Sequence, residues 1–289
     1  MGQYGHHKSL EQGKPIVPCS DMCGTVEKTG SGCKSELREG DRVMATFNQT
    51  HLTGQVVEKD MASGLGFPLQ GCLTQYRIFP SYGLVKVPDY LTDGEAAALP
   101  IAAVTTWMAI NTFQPTGKPL SGKDKVVLLQ GTGAIITSSS DAKLDRARKL
   151  GASHTINYKT TPNWHEKVLE LTGDKGADVI FETGGAETLS KSFQCVAFGG
   201  LISSIGYLSG KEDAAGNRVN ANVLALSRNV TLKGILNGPK DRFEEMLGQY
   251  REKEIHPVID REFQFEEARD ALKYLYEGGH FGKVVIKVP

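Results

Sequence analysis

Residues 125–137 read Lys125-Val126-Val127-Leu128-Leu129-Gln130-Gly131-Thr132-Gly133-Ala134-Ile135-Ile136-Thr137, and the fold turns on this stretch. Lys125 to Gln130 is a short, almost wholly apolar run, as expected of a strand buried on both faces of a parallel sheet. Ala134 to Thr137 is a second such run. Only Gly131, Thr132 and Gly133 lie between them. Parallel neighbours in a sheet are joined by a crossover of a dozen or more residues. Three residues make a hairpin, or let one long strand continue. On this reasoning they do not carry the chain back to start a parallel strand.

Downstream, strands and helices alternate. Asp141 to Leu150 reads as a helix: Ser140 or Asp141 caps it, Leu144, Ala147 and Leu150 share a face, and Gly151 ends it. His154 to Tyr158 is strand-like, Trp164 to Leu171 helical, Ala177 to Phe181 a strand, Thr188 to Ala197 a helix, and Leu201 to Ile205 a strand. Val230 to Leu236 is another strand, helices follow around Arg242 to Tyr250 and Phe265 to Glu277, and Val284 to Val288 closes the chain. Such alternation implies a doubly wound parallel sheet. Upstream, Glu95 to Ala109 is an Ala-rich helical stretch that Pro100 divides. Before it, residues 15–95 carry short apolar runs broken by Gly, Pro and Asp, the texture of a β-rich domain with tight turns.

Composition narrows the function classes. Lys plus Arg equals Asp plus Glu at 33 each, so no net field draws the chain to nucleic acid or an acidic membrane. No run approaches the ~20 apolar residues of a membrane span, and Met1 to Gly13 lacks the apolar core of a signal peptide. The five cysteines, Cys19, Cys23, Cys33, Cys72 and Cys195, are odd in number and form no CxxC pair. They read as reduced thiols in a cytoplasmic protein. The spacing of Cys19, Cys23 and Cys33 fits no standard zinc pattern, and His6 and His7 sit in a polar tail.

Several segments together resemble the medium-chain dehydrogenase/reductase superfamily, on its quinone-oxidoreductase and alcohol-dehydrogenase-like side. They are Pro18-Cys19-Ser20-Asp21-Met22-Cys23-Gly24, Gly40-Asp41-Arg42-Val43, Leu99-Pro100 with Thr105-Thr106-Trp107, and Val126 to Gly133. Lys149-Leu150-Gly151-Ala152, Ala177-Asp178-Val179 with Gly184-Gly185, and Phe281-Gly282-Lys283-Val284-Val285 follow. Each is weak alone; their order and spacing over nearly the whole chain carry the resemblance. It implies a GroES-like β domain, here partial, over 1–95 and 258–289. A Rossmann-like dinucleotide-binding domain would occupy 96–257. Against the family pattern, the chain lacks the first N-terminal strands, and the helix after the Gly-rich turn is missing.

The resemblance also bears on metal and cofactor. Zinc-dependent members place a His-Glu pair where this chain has Ser20-Asp21, and a Cys near Ala102. Catalytic zinc needs three protein ligands, so no metal is expected. At the end of the second Rossmann strand an acid bonds the ribose of NAD, while basic and hydroxyl groups accept the 2′-phosphate of NADP. Here the strand ends in Ser138 and Ser139, Lys143 follows, and Tyr158 ends the next strand. Matching positions in NADPH-binding relatives surround the 2′-phosphate, which favours NADP. The plainer reading of Ser140-Asp141 is a helix cap, and both readings can hold at once. Gly131, Thr132 and Gly133 would face the pyrophosphate. Thr105, Gly184, Gly206, Gly282 and Lys283 would border the nicotinamide side or close over the cofactor. The plain reading of each glycine is a turn. Asn237-Gly238 would border the same side, with Pro239 in place of a family Ser.

The implied activity is NADPH-dependent hydride transfer to a small carbonyl, quinone or conjugated alkene, without zinc. The alternative is a catalytically impaired pseudoenzyme, or a structural or interaction protein of the same family. No residue stands out as the proton donor; in relatives the loop of Asn48 borders the pocket, Tyr76 and Tyr82 are nearby in sequence, and the plainer reading of each is structural. The partner is a small-molecule substrate, and an edge strand near Val230 to Leu236 leaves room for a homodimer.

Overall fold

The computed structural model describes residues 15–120, 125–129, 135–212 and 220–289. The first elements are β1 (Cys23–Thr25), β2 (Arg42–Ala45), α1 (Glu58–Met61), β3 (Leu84–Lys86), α2 (Asp93–Ala97) and α3 (Ala102–Asn111). Then come β4 (Val127–Leu129), β5 (Ile135–Ser138), α4 (Asp141–Lys149), β6 (His154–Asn157), α5 (Trp164–Leu171), β7 (Ala177–Glu182) and α6 (Leu189–Cys195). β8 (Val196–Ser204), α7 (Ala221–Ser227), β9 (Thr231–Gly234), α8 (Lys240–Lys253), β10 (Ile259–Gln264), α9 (Ala268–Glu277) and β11 (Lys283–Lys287) complete the chain. Among the described residues no helix is long and apolar enough to cross a membrane.

Packing divides the chain into two units, 1–108 with 237–289, and 109–236. The expected limits were 95/96 and 257/258. The difference has a physical source. Leu99, Val104, Phe243, Met246 and Leu247 share one core with Met44, Val85 and Leu91, so 96–108 and 237–257 go with the β-rich unit.

In that unit β1, β2 and β3 form an antiparallel sheet, and β10 and β11 a parallel pair. Pro100 separates α2 from α3, as the sequence implied. Thr92 caps α2 through a reciprocal box: its side chain accepts from the Glu95 N–H at 3.2 Å, and the Glu95 carboxylate accepts from the Thr92 N–H at 2.9 Å.

The second unit is a six-stranded parallel sheet in the order β6-β5-β4-β7-β8-β9. Taken from β4, this is the 3-2-1-4-5-6 order of a doubly wound sheet. Side chains alternate across it, as the two-residue strand period requires. Leu128, Ile180 and Ile202 pack with Trp164, Val168 and Phe193 on one face. Val127, Val179, Phe181 and Leu201 pack with Ala109 and Ile110 on the other. Both faces are covered, which is why the strands read as apolar runs.

One expectation is overturned here. β4 and β5 are parallel neighbours, with Leu128 opposite Ile135 and Leu129 opposite Ile136. The reasoning above assumed a return along the whole strand. The register removes that need, because β5 begins beside the end of β4. Between Leu129 and Ile135 the chain has to step back ~3.3 Å and across ~4.8 Å. The expected strand Ala134 to Thr137 becomes Ile135–Ser138. Gly131, Thr132 and Gly133 lie outside the described residues.

Leu128 is wholly buried. Leu128→Ala is expected to lower the unfolding free energy by about 2–5 kcal/mol, read by urea denaturation. Leu226→Ala, at a side chain 80% exposed, should change it by under about 0.5 kcal/mol. Equal losses would put Leu128 outside the core.

Candidate functional site

At the end of β5 the sequence-predicted residues do come together. Ser138 closes the strand opposite Asn157. Its carbonyl accepts the Tyr158 N–H at 3.1 Å, and its hydroxyl accepts the Ser140 N–H at 3.3 Å. Ser140 in turn caps α4, accepting the Lys143 N–H at 3.4 Å. Ser138, Ser139, Lys143 and Tyr158 thus border one strand end and the first turn of one helix. The Tyr158 side chain is 43% exposed. The set offers hydroxyl groups, a lysine and a helix N-terminus, a chemistry suited to an anion. Asp141 lies beside it, and its carboxylate accepts from the Asn157 amide at 2.8 Å.

At the end of β7 stands a residue that the sequence reading missed. Glu182 is wholly buried. Its carboxylate accepts from the N–H groups of Gly184 at 2.9 Å and Gly185 at 3.0 Å, the Thr188 hydroxyl at 2.5 Å, and the Ser192 hydroxyl. This one acid gathers the turn after β7 and the start of α6. The signal is an acid ending an apolar strand, with Gly184, Gly185, Thr188 and Ser192 following. The turn is also tied to the one after β8: Leu208 N–H donates to Thr183 O at 3.0 Å, and Ser209 N–H to Gly184 O at 2.7 Å. Gly184 and Gly206 therefore sit on adjacent strand ends. A Cβ at Gly184 would stand 2.2 Å from Thr188 Oγ1, so its first requirement is close packing.

The β-rich unit brings together a second group. The Ser20 hydroxyl donates to Asp21 Oδ1 at 3.3 Å, and the Ile101 N–H donates to the same carboxyl. Desolvation pushes the Asp21 pKa up; the nearby Lys283 cation and these hydrogen bonds pull it only part of the way back. Thr105 is buried and reaches Asn237 Oδ1 in a long hydrogen bond of 3.5 Å. Gly282 has a φ of +104°, and a Cβ there would stand 2.4 Å from Val258 O. It is thus a required turn that sets the Lys283 N–H on Val258 O at 2.9 Å. Tyr76 and Tyr82 are exposed.

Zinc finds no fit among the described residues. Ser20 and Asp21 stand where a His-Glu pair would be needed, Ala102 opens α3, and no three His, Cys, Asp or Glu side chains are grouped to hold a metal ion. The five cysteines are free thiols. Burial pushes Cys23 and Cys72 up to about 12, which keeps both protonated at neutral pH.

Comparison with known proteins matches two family models. Residues 2–89 match the alcohol dehydrogenase GroES-like domain, and residues 126–252 match the zinc-binding dehydrogenase family. The chain is 36% identical over 287 residues to a zinc-type alcohol dehydrogenase-like protein of Schizosaccharomyces pombe, covering 95% of this chain and 82% of that one. It is 30% identical over 214 residues to the 2-haloacrylate reductase of a Burkholderia species, covering 69% of this chain and 57% of that enzyme. A solved structure from Sinorhizobium meliloti 1021, described as an alcohol dehydrogenase, superposes with a TM-score of 0.82 at 35% identity, over 95% of this chain and 82% of that one.

Two predictions follow from this geometry. Glu182→Ala orphans four donors, two of them buried, and is expected to cost about 3–5 kcal/mol of stability, whereas Glu182→Gln, which keeps an acceptor, costs about 1 kcal/mol. Denaturant melts of both variants check the order. For Asp21 the folded pKa lies above the unfolded one. The native state then holds its proton longer, and stability falls as pH rises from the unfolded pKa through the folded one. Asp21→Asn should therefore raise Tm at about pH 7 and lose that advantage below about pH 3.5; a gain that is independent of pH would exclude the ionisation as its cause.

Proposed function

The chain belongs to the medium-chain dehydrogenase/reductase superfamily, and on that premise we propose that it is an NADPH-dependent oxidoreductase acting without zinc on a small carbonyl, quinone or conjugated alkene. NADPH supplies the hydride, and the protein's part is binding, orientation and exclusion of water.

One observation carries the cofactor preference: Ser138 ends β5 where an acid would read the ribose of NAD, and Ser139, Lys143 and Tyr158 border the same strand end. In this reading the hydroxyls of Ser138 and Ser139 and the Lys143 ammonium hold the 2′-phosphate. Asp141 is occupied by Asn157 and competes little for that role. Gly131, Thr132 and Gly133 take the pyrophosphate. By the family resemblance, Gly184 and Gly206 of the second unit are assigned a nicotinamide role, as are Thr105, Gly282 and Lys283 of the β-rich unit, each unit taken by itself. The catalytic proton donor is not assigned. Zinc is left out because Ser20 and Asp21 do not supply a ligand pair. A homodimer joined through the β9 edge, where Leu232 is 40% exposed, and a cytoplasmic location belong to the same reading.

A second reading has its own observation. Only residues 130–134 separate β4 from β5, too few for the crossover helix whose N-terminus stabilises a bound phosphate in this kind of sheet. On that ground the chain is a family member impaired in cofactor binding, kept as a structural or interaction protein.

A fluorescence titration separates the two. Saturable binding that prefers NADPH over NADH, with Lys143→Ala weakening NADPH about tenfold and NADH little, is the expected result. Absence of binding to either nucleotide by a chain that melts cooperatively would reject the first reading and leave the second.

A further inference from the structure

Cys19 stands at a backbone position that favours glycine. Its φ is +67°, a left-handed conformation that is strained for a residue bearing a Cβ. Such strain persists where neighbouring structure fixes it, and here the neighbour is residues 71–73. Gly71 N–H donates to Val17 O at 2.7 Å and Leu73 N–H to Pro18 O at 3.1 Å. The Cys72 N–H is shared between Pro18 O at 3.0 Å and Cys19 O at 2.7 Å. A Cβ at Gly71 would stand 2.3 Å from Cys19 O, so the two backbones touch.

This contact brings together two cysteines from distant parts of the chain. Cys19 Cα is about 2.4 Å from its own carbonyl oxygen, and Cys72 N about 1.5 Å from its Cα. With 2.7 Å between that oxygen and that nitrogen, the two Cα atoms are at most about 6.6 Å apart. Disulfides span Cα separations of roughly 4.4–6.8 Å. Cys72 Sγ is turned towards the chain that follows Cys19, donating to Ser20 O at 3.6 Å. The Cys19 thiol has no hydrogen-bond partner among the described residues, so no polar contact holds it in place.

The other cysteines are placed elsewhere. Cys23 donates to Asp93 at 3.5 Å and packs with Met44, Val85 and Leu91, whereas Cys72 packs with Leu37, Val43 and Ala45. Cys33 is 3.1 Å from the Ser35 hydroxyl, and Cys195 belongs to the second unit. Burial pushes the Cys72 thiol up to about 12, against the pull of Arg77, and burial also raises Cys19; the Asp21 carboxylate adds to both. Both thiols are therefore slow to react at neutral pH, since the thiolate is the nucleophile. Where disulfides occur in a reducing compartment they are mostly transient and redox-sensing.

We infer that Cys19 and Cys72 are a redox pair, and that a reversible disulfide between them clasps the segment carrying Ser20 and Asp21 to residues 71–73. The oxidant is a low-molecular-weight disulfide such as oxidised glutathione. The Cys19 thiolate attacks one glutathione sulfur and releases a glutathione thiolate, leaving a mixed disulfide. The Cys72 thiolate then attacks Cys19 Sγ and releases the second glutathione. The two protein thiols lose two protons and two electrons, and one glutathione disulfide becomes two thiols. The clasp needs neither a nucleotide nor a substrate, so it stands apart from the oxidoreductase reading.

The test holds the full chain with oxidised glutathione at about pH 8.5, where thiolates are more abundant. Free thiols are then alkylated, and unreduced peptides are read by mass spectrometry. A linked Cys19–Cys72 peptide that dithiothreitol removes is expected, and the oxidised chain should melt about 5–10 °C higher than the reduced one. Cys72→Ser abolishes the link and Cys33→Ser leaves it. Cys19→Gly, which suits the left-handed backbone, also abolishes it. The inference is overturned if a cooperatively melting chain yields no such link, or if Cys19 joins Cys23 or Cys33 as often as Cys72. A link that forms but lowers Tm overturns it as well, since the native geometry would then not accept the bond.

Discussion

The second unit depends on the two-sided pairing of β4. It bonds to β5 on one edge and β7 on the other, both in parallel, and Leu128 at its centre is wholly buried. The stagger that places Ile135 beside Leu128 lets a short connection join parallel neighbours. It also carries Thr137 and Ser138 past the end of β4, so the hydroxyl-rich end of β5 projects beyond its neighbour. The same pairing splits the sheet so that β5 and β6 lie to one side and β7, β8 and β9 to the other. In sheets of this kind ligands bind outside the carboxyl ends of the strands, where the order reverses.

Polar groups at those strand ends are organised in two different ways. At β5 and β6 the hydroxyls and lysine border an exposed tyrosine, and hydrogen bonds from Tyr158 and Ser140 hold the Ser138 end in place. At β7 a single carboxylate is consumed by four internal donors. A buried charge is tolerable only when its acceptor capacity is filled, and Glu182 meets that condition. The first arrangement borders an exposed side chain; the second spends its acceptors on holding two turns together. In the β-rich unit Asp21 lies between these extremes, with fewer donors and the Lys283 cation beside them, and desolvation leaves its pKa raised.

Much of this was legible in the chain itself. Trp164 to Leu171 was read as a helix from its periodicity and forms over those same residues, and Ser140 caps α4 as expected. The gathering of Ser138, Ser139, Lys143 and Tyr158 follows from two adjacent strands ending together. Other features were hidden because they depend on contacts distant in sequence. β10 was not anticipated, since Ile259–Gln264 carries three charged residues in a row, Asp260, Arg261 and Glu262, and is a strand only through its partner β11. α7 was missed for another reason: Ala221, Leu224 and Ala225 pack against the sheet core, but Val223 and Leu226 on the exposed side are apolar too, so the stripe does not stand out in the sequence.

What the sequence by itself determined is the alternation of strand and helix, the apolar runs that must be buried on both faces, and the residue types available at each strand end. These are local properties, set by periodicity, capping and turn chemistry. What only the tertiary structure decided is the register of β4 on β5, the limits of the two units, the four-donor setting of Glu182, and the backbone contact of Cys19 with Cys72. Register and hydrogen-bond satisfaction are relations between segments far apart in the chain. A residue list states which donors and acceptors exist; packing alone states which of them meet.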